Sequence, residues 1–142
     1  MAIIAAVDKS ERAANVLHEA NALAKAFDDV IHVVHVLTRS EFVNLEKTNV
    51  DDTGIALSMD EVREVAAEIA DEVATSVLDS SYEAVGLMGD PAVRVVEYAS
   101  EQEARYLVVA GRKRSPAGKA VFGSVAQSIL LNADCPVVTT IQ

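Results

Sequence analysis

The chain alternates between short runs in which nearly every position is apolar and longer stretches in which apolar residues return every third or fourth position. Ala2 to Val7 (AIIAAV) is the first short run, and Val30 to Leu37 (VIHVVHVL) is the second. Runs of this kind suit parallel strands covered on both faces. Between them, Ala13, Val16, Leu17, Ala20, Leu23, Ala24 and Phe27 fall on one face of a predicted helix, with Ser10 as its N-cap and Asp28-Asp29 at its end. If that helix is the crossover, the two strands run in the same direction.

Residues 38–57 are polar and acidic and show no sustained period, so they read as a long loop, which in a compact domain is usually functional or mobile. Ser58-Met-Asp-Glu61 then forms a capping box, with Leu57 and Val62 spaced as a hydrophobic staple. Val62, Val65, Ala66, Ile69, Val73 and Val77 give the next helix its buried face. A third strand spans Ala84 to Met88. Asp90 and Pro91 follow as N-cap and first helical residue of a helix that carries Val93, Val96 and Ala99 inward. Tyr106 to Ala110 (YLVVA) is the fourth strand. After a basic loop, Val125, Ile129 and Leu130 mark a helix to about Asn132, and Pro136 to Ile141 closes the chain as a fifth strand.

Five strands alternating with four helices specify an α/β fold, one domain over residues 1–142, with a parallel sheet covered by helices on both faces. A chain of this length buries about 70% of the surface it exposes when unfolded. In such sheets ligands bind at the carboxyl ends of the strands, where the strand order reverses. Asp8, the end of strand two and Gly111 all lie at such ends.

Composition narrows the function classes. Hydrophobic residues make up 51% of the chain but aromatics only 4%, with no Trp, so the core must be aliphatic. No apolar run approaches the ~20 residues of a membrane span. The apolar N-terminus lacks a basic flank and a cleavage pattern, so it reads as a strand and not a signal peptide. Cys135 is the single cysteine, which rules out an internal disulfide and fits a reducing cytoplasm. A net charge of −10 disfavours binding to a nucleic acid backbone.

Candidate chemistry is sparse elsewhere. The acidic residues from Asp60 to Glu72 read as a solvated helix face and not as a metal site. His32 and His35, three apart on a strand, face opposite ways and cannot share a metal; packing is the better reading for both. Asp8, Ser10 and His18 do not make a triad by residue type alone. No catalytic residues and no metal site are assigned, and the P-loop pattern is absent.

The stretch Arg105 to Ser124 (RYLVVAGRKRSPAGKAVFGS) is the exception. A strand leads into Gly111, four cations follow (Arg112, Lys113, Arg114 and Lys119), and Gly123-Ser124 opens a helix. A helix start offers free N–H groups and the positive end of the dipole, a ready anion site. The same cations also read as a solvated loop kept soluble by charge.

This segment resembles the Gly-x2-Gly-x9-Gly-Ser/Thr signature of the universal stress protein family, whose ATP-binding members wrap ribose and phosphates with it. Gly111 matches the first glycine, and Gly123-Ser124 match the last glycine and hydroxyl. Arg114 stands where the second glycine belongs, and eight residues instead of nine separate it from Gly123.

The resemblance covers almost the whole chain and implies a Rossmann-like fold, close to the adenine nucleotide α-hydrolases, with strand order 3-2-1-4-5. It further implies that Asp8 contacts the adenosine, that the Val36 backbone reads the adenine edge, and that Ala110 and Gly111 flank the ribose and phosphates. Gly123, Ser124 and Val125 would then bind phosphate. Arg112 lies in the same loop, and Arg114 could hold phosphate bidentately in place of the lost glycine. Read without the family, Asp8 is also a turn residue that bonds its own backbone.

The implied function is a small cytoplasmic stress-response module that binds ATP, with Mg²⁺ accompanying it, and acts as a dimeric switch with at most slow hydrolysis. The implied homodimer pairs through the C-terminal strand, with neither nucleic acid nor membrane as a partner. The alternative is a family member that binds no nucleotide and acts through protein contacts.

Overall fold

The computed structural model describes residues 1–54, 56–111 and 122–141. Its elements follow in the order β1 (Ala2–Ala6), α1 (Arg12–Phe27), β2 (Val30–Leu37), α2 (Arg39–Thr53), α3 (Met59–Thr75), β3 (Tyr82–Met88), α4 (Pro91–Glu101), β4 (Tyr106–Ala110), α5 (Ser124–Asn132) and β5 (Val137–Thr140). The strands form one sheet, every pair parallel as the sequence pattern predicts, in the order β3-β2-β1-β4-β5 that the family resemblance implies. The chain steps outward from β1 to β2 and β3, then returns to the other side of β1 as β4. The strand order therefore reverses between β1 and β4.

Two aliphatic layers sandwich the sheet. On one face, Ile3, Ala5, Val33 and Val108 pack against Val16, Leu17 and Ala20 of α1 and Ala70 and Ala74 of α3. On the other, Ile4, Val34, Val36, Leu107 and Val109 meet Val95 and Ala99 of α4 and Ile129 of α5. Successive residues of one strand thus serve opposite layers, the period-two geometry of a buried strand. Ile3, Ile4, Leu17, Leu107 and Val108 are wholly buried, and burial stabilises each by about 1.5–3 kcal/mol relative to exposure.

The predicted capping box of α3 is present: Ser58 Oγ accepts from Glu61 N, and Glu61 Oε1 accepts from Ser58 N. Asp90 caps α4 by accepting from Val93 N at 3.1 Å, with Pro91 in the first turn.

Three expectations need correction. Residues 38–57 are not a loop throughout, because α2 occupies Arg39–Thr53. Its periodicity is faint: among the described side chains of α2, Phe42 and Leu45 pack against Leu37, Val62 and Ala66. Its start was nonetheless encoded: Thr38 Oγ1 accepts from Glu41 N and Glu41 Oε1 accepts from Thr38 N, the same threonine-to-glutamate spacing that caps α3 with serine. Ser10 does not cap α1 with its side chain; the N-cap is Glu11, and Ser10 turns to Asp8 instead. On α4, Ala99 and the half-buried Val96 pack inward as predicted, together with Ala92 and Val95, but Val93 is half exposed.

Candidate functional site

The carboxyl ends of β1, β2 and β4 open into a cleft of about 360 Å³. Size and position match a ligand site at a topological switch point. Its floor is apolar: Val34 and Val36 from β2, Val109 and Ala110 from β4, and Val95 and Ile129 from the helices. Val7 and Asp8 follow β1 on one side, and Gly123, Ser124, Val125 and Ala126 open α5 on the other.

The helix start is conformationally ordinary and chemically open. Gly123 has φ −72° and ψ 168°, an extended conformation open to any residue, so backbone strain does not call for a glycine there. Among the described residues no side chain caps this helix. The first turn of a helix leaves N–H groups without intrahelical partners. The α5 bonds begin with Gln127 N donating to Gly123 O, so the amides of Ser124, Val125 and Ala126 belong to that open turn.

Asp8 is both a cleft residue and a turn former. Its Oδ1 accepts from Ser10 N at 2.8 Å and from the Ser10 hydroxyl, and its Oδ2 lies 3.9 Å from Arg12 Nη2. The ion pair is largely exposed, and pairs of that kind add at most about 1 kcal/mol. The turn reading of Asp8 is therefore correct as geometry, and it holds the carboxylate at the mouth of the cleft.

Of the residues singled out in the sequence, the fold brings Asp8, Val36, Ala110, Gly123, Ser124 and Val125 to one cleft. Gly111 sits just beyond Ala110, donating its N–H to Thr140 O at 2.7 Å. A Cβ there would meet Thr140 O at 3.1 Å and the Phe122 ring at 3.3 Å, so close packing is what a side chain at Gly111 would disturb. Arg112, Lys113, Arg114 and Lys119 lie outside the described residues.

Sequence reasoning missed His35, Thr38 and Glu41, which complete one wall. His35 is buried; its Nδ1 donates to Val7 O at 3.0 Å, and its Nε2 lies 3.7 Å from Glu41 Oε2. The Thr38-to-Glu41 spacing was the available signal. The pairing of Glu41 with His35 was not, because it depends on where α2 docks.

His32 lies apart from the cleft, bonded to Tyr98 of α4 and Glu83 of β3. Cys135 is half-buried, with its thiol pushed up by burial and by the neighbouring Asp134 carboxylate. Among the described residues no three His, Cys, Asp or Glu side chains gather as a metal site, and no helix is long and apolar enough to cross a membrane.

Known proteins share this architecture. A universal stress protein of Methanocaldococcus jannaschii is 26% identical over 142 residues, covering 95% of this chain and 78% of that protein. A solved universal stress protein from Archaeoglobus fulgidus is 28% identical, with a TM-score of 0.61 and coverage of 98% of this chain and 97% of its own. A structure of the Archaeoglobus fulgidus protein in complex with dAMP is 24% identical, with a TM-score of 0.58 and coverage of 98% and 96%. Residues 1–140 match the Universal stress protein family as a whole, and the chain belongs to that family.

Proposed function

We propose that this chain binds an adenine nucleotide in the cleft between β1, β4 and α5, and that it works as a binding switch with at most slow hydrolysis. The observation that carries the reading is the meeting of an uncapped helix start, Gly123-Ser124-Val125, with Asp8 and Val36 across one apolar floor. A purine needs a flat apolar slot with a few polar edges, and a phosphate is favoured by free amides at the positive end of a helix. The dAMP carried by the archaeal neighbour is a ligand of this chemical class. ATP with Mg²⁺ is the proposed ligand, with Ala110 and Gly111 flanking the ribose and phosphates and Arg112 and Arg114 reaching the phosphates. A cytoplasmic homodimer paired along β5 completes the proposal.

The test is calorimetry with ATP, ADP and AMP, combined with mass identification of small molecules released when the purified protein is denatured. Binding by the wild type and its loss in Gly123→Val is the expected result. Arg114 in the glycine position gives the second reading its footing: a chain that shows no heat with any of the three and releases no nucleotide acts through protein contacts instead.

A further inference from the structure

We propose that His35 and Glu41 form a proton-operated latch that docks the start of α2 onto the wall of the cleft. The proposal follows from which atoms can donate. Val7 O only accepts, so the imidazole Nδ1 at 3.0 Å carries the proton of that bond. In neutral His35 the other nitrogen, Nε2, is then a bare acceptor.

That Nε2 is buried and has no hydrogen-bond partner among the described residues. What faces it at 3.7 Å is Glu41 Oε2, a second acceptor. Two acceptors at that separation repel, and a buried polar atom left without a partner is costly. One proton on Nε2 turns the contact into a charge-assisted hydrogen bond and satisfies both atoms.

The other Glu41 oxygen is already committed. Oε1 accepts from Thr38 N at 3.3 Å and from Thr38 Oγ1 at 3.0 Å, which ties the carboxylate to the first turn of α2. Closing the contact to His35 therefore pulls on the helix start and not only on a side chain. Thr38 and Glu41 both line the cleft, so the state of the latch shapes its wall.

Among the described residues, the charged groups on neighbouring elements are paired elsewhere: Arg63 of α3, which packs over Gly86, pairs with Asp60. β1 presents the Val7 carbonyl, β3 presents Gly86 in register, and Asp8 and Arg12 on the same cleft pair with each other. Glu41 is the one charged group paired with His35 among the described residues.

The latch does not require the cleft to hold a nucleotide, so it is tested on ligand-free protein by hydrogen exchange of the α2 amides. Lowering the pH from about 8 to about 5 covers the range in which histidine gains its proton. Corrected for intrinsic exchange, protection at the start of α2 should rise about ten-fold in the wild type, the scale of a hydrogen bond to a charged group. Glu41→Gln keeps an oxygen for Thr38 and supplies an N–H₂ to the bare Nε2 of neutral His35, so protection should be high at about pH 8 and should not rise on acidification. Glu41→Ala should be low and independent of pH. Imidazole nitrogen shifts should show the proton on Nδ1 in neutral His35. A proton on Nε2 instead, or the wild-type pH dependence persisting in Glu41→Gln, would overturn the latch.

Discussion

Asp29 Oδ2 accepts from Arg105 Nε at 2.5 Å, which ties the end of α1 to the start of β4 through a carboxylate only 3% exposed. The amine of Met1 lies 3.3 Å from the other oxygen, and the guanidinium stacks 4.4 Å above the Phe27 ring. The hydrogen bond from Arg105 is the largest cause holding the Asp29 carboxyl below its ordinary value of 3.8, with burial opposing it and the Met1 amine helping. A depressed carboxyl contributes stability that is complete above the unfolded value and disappears as pH falls through the folded one. Arg105→Gln removes the main cause, so its acid unfolding should begin at higher pH than in the wild type. Coincident acid transitions by circular dichroism would show that Asp29 does not depend on Arg105.

Gly86 in β3 lies where α3 presses on the sheet. A Cβ built there would stand 2.0 Å from Arg63 O, 2.4 Å from Ala67 N and 2.8 Å from Ala66 Cβ. Two of these neighbours are main-chain atoms of a helix, which cannot swing aside as a side chain can. Gly86→Ala should therefore cost about 3 kcal/mol, the upper end of ordinary overpacking. Urea unfolding should show a lower midpoint with an unchanged slope. A loss below about 0.5 kcal/mol, the size of ordinary surface substitutions, would mean that α3 moves freely off β3.

The sheet was legible because its strands are continuous apolar runs: Tyr106–Ala110 stands where YLVVA predicts it. The α4 stripe was not, because valines at 93, 95 and 96 fit more than one helical face. Packing buries Ala92, Val95 and Ala99, keeps Val96 half-buried on the same layer and leaves Val93 half exposed. α2 hid behind its weak periodicity, although Thr38 and Glu41 announced its start. Strand ends lead to Asp8, the end of β2 and Gly111, since their position follows from topology, whereas Val36 and Ala110 come from the family resemblance. His35 was read as packing because its partner is supplied by a helix that the pattern did not reveal.

Tyr98 supplies a proton donor to the buried side of the sheet. Glu83 Oε2 lies 3.1 Å from His32 Nε2 and can only accept, so neutral His32 carries its proton there. Its Nδ1, 2.7 Å from the Tyr98 hydroxyl, then accepts from that O–H. Tyr98→Phe strands this nitrogen and should cost about 1–3 kcal/mol at neutral pH. Burial, then the Glu83 and Glu101 carboxylates, push the Tyr98 phenol above its ordinary value of 10.0. A raised phenol contributes stability that is complete below the unfolded value and is lost as pH rises through the folded one. The gap between wild type and variant should therefore narrow in alkaline solution. A gap independent of pH would assign the loss to packing alone.

The outer edge of β5 decides the proposed dimer. Leu107 N donates to Pro136 O and Gly111 N donates to Thr140 O, so residues 136 and 140 turn their main-chain groups toward β4. Alternation along a strand turns those of Val137 and Thr139 outward, onto an edge that can pair with a second copy. Proline is tolerated where the N–H points away from the sheet, so Thr139→Pro should keep the fold and delete one donor from the pairing edge. Light scattering at micromolar concentration should give twice the 15.1 kDa chain mass for the wild type and a shift to monomer for the variant. A monomeric wild type would remove the dimer from the proposal. A variant that stays dimeric would move the contact away from this edge, because the pairing surface cannot lose an inner donor and hold its register unchanged.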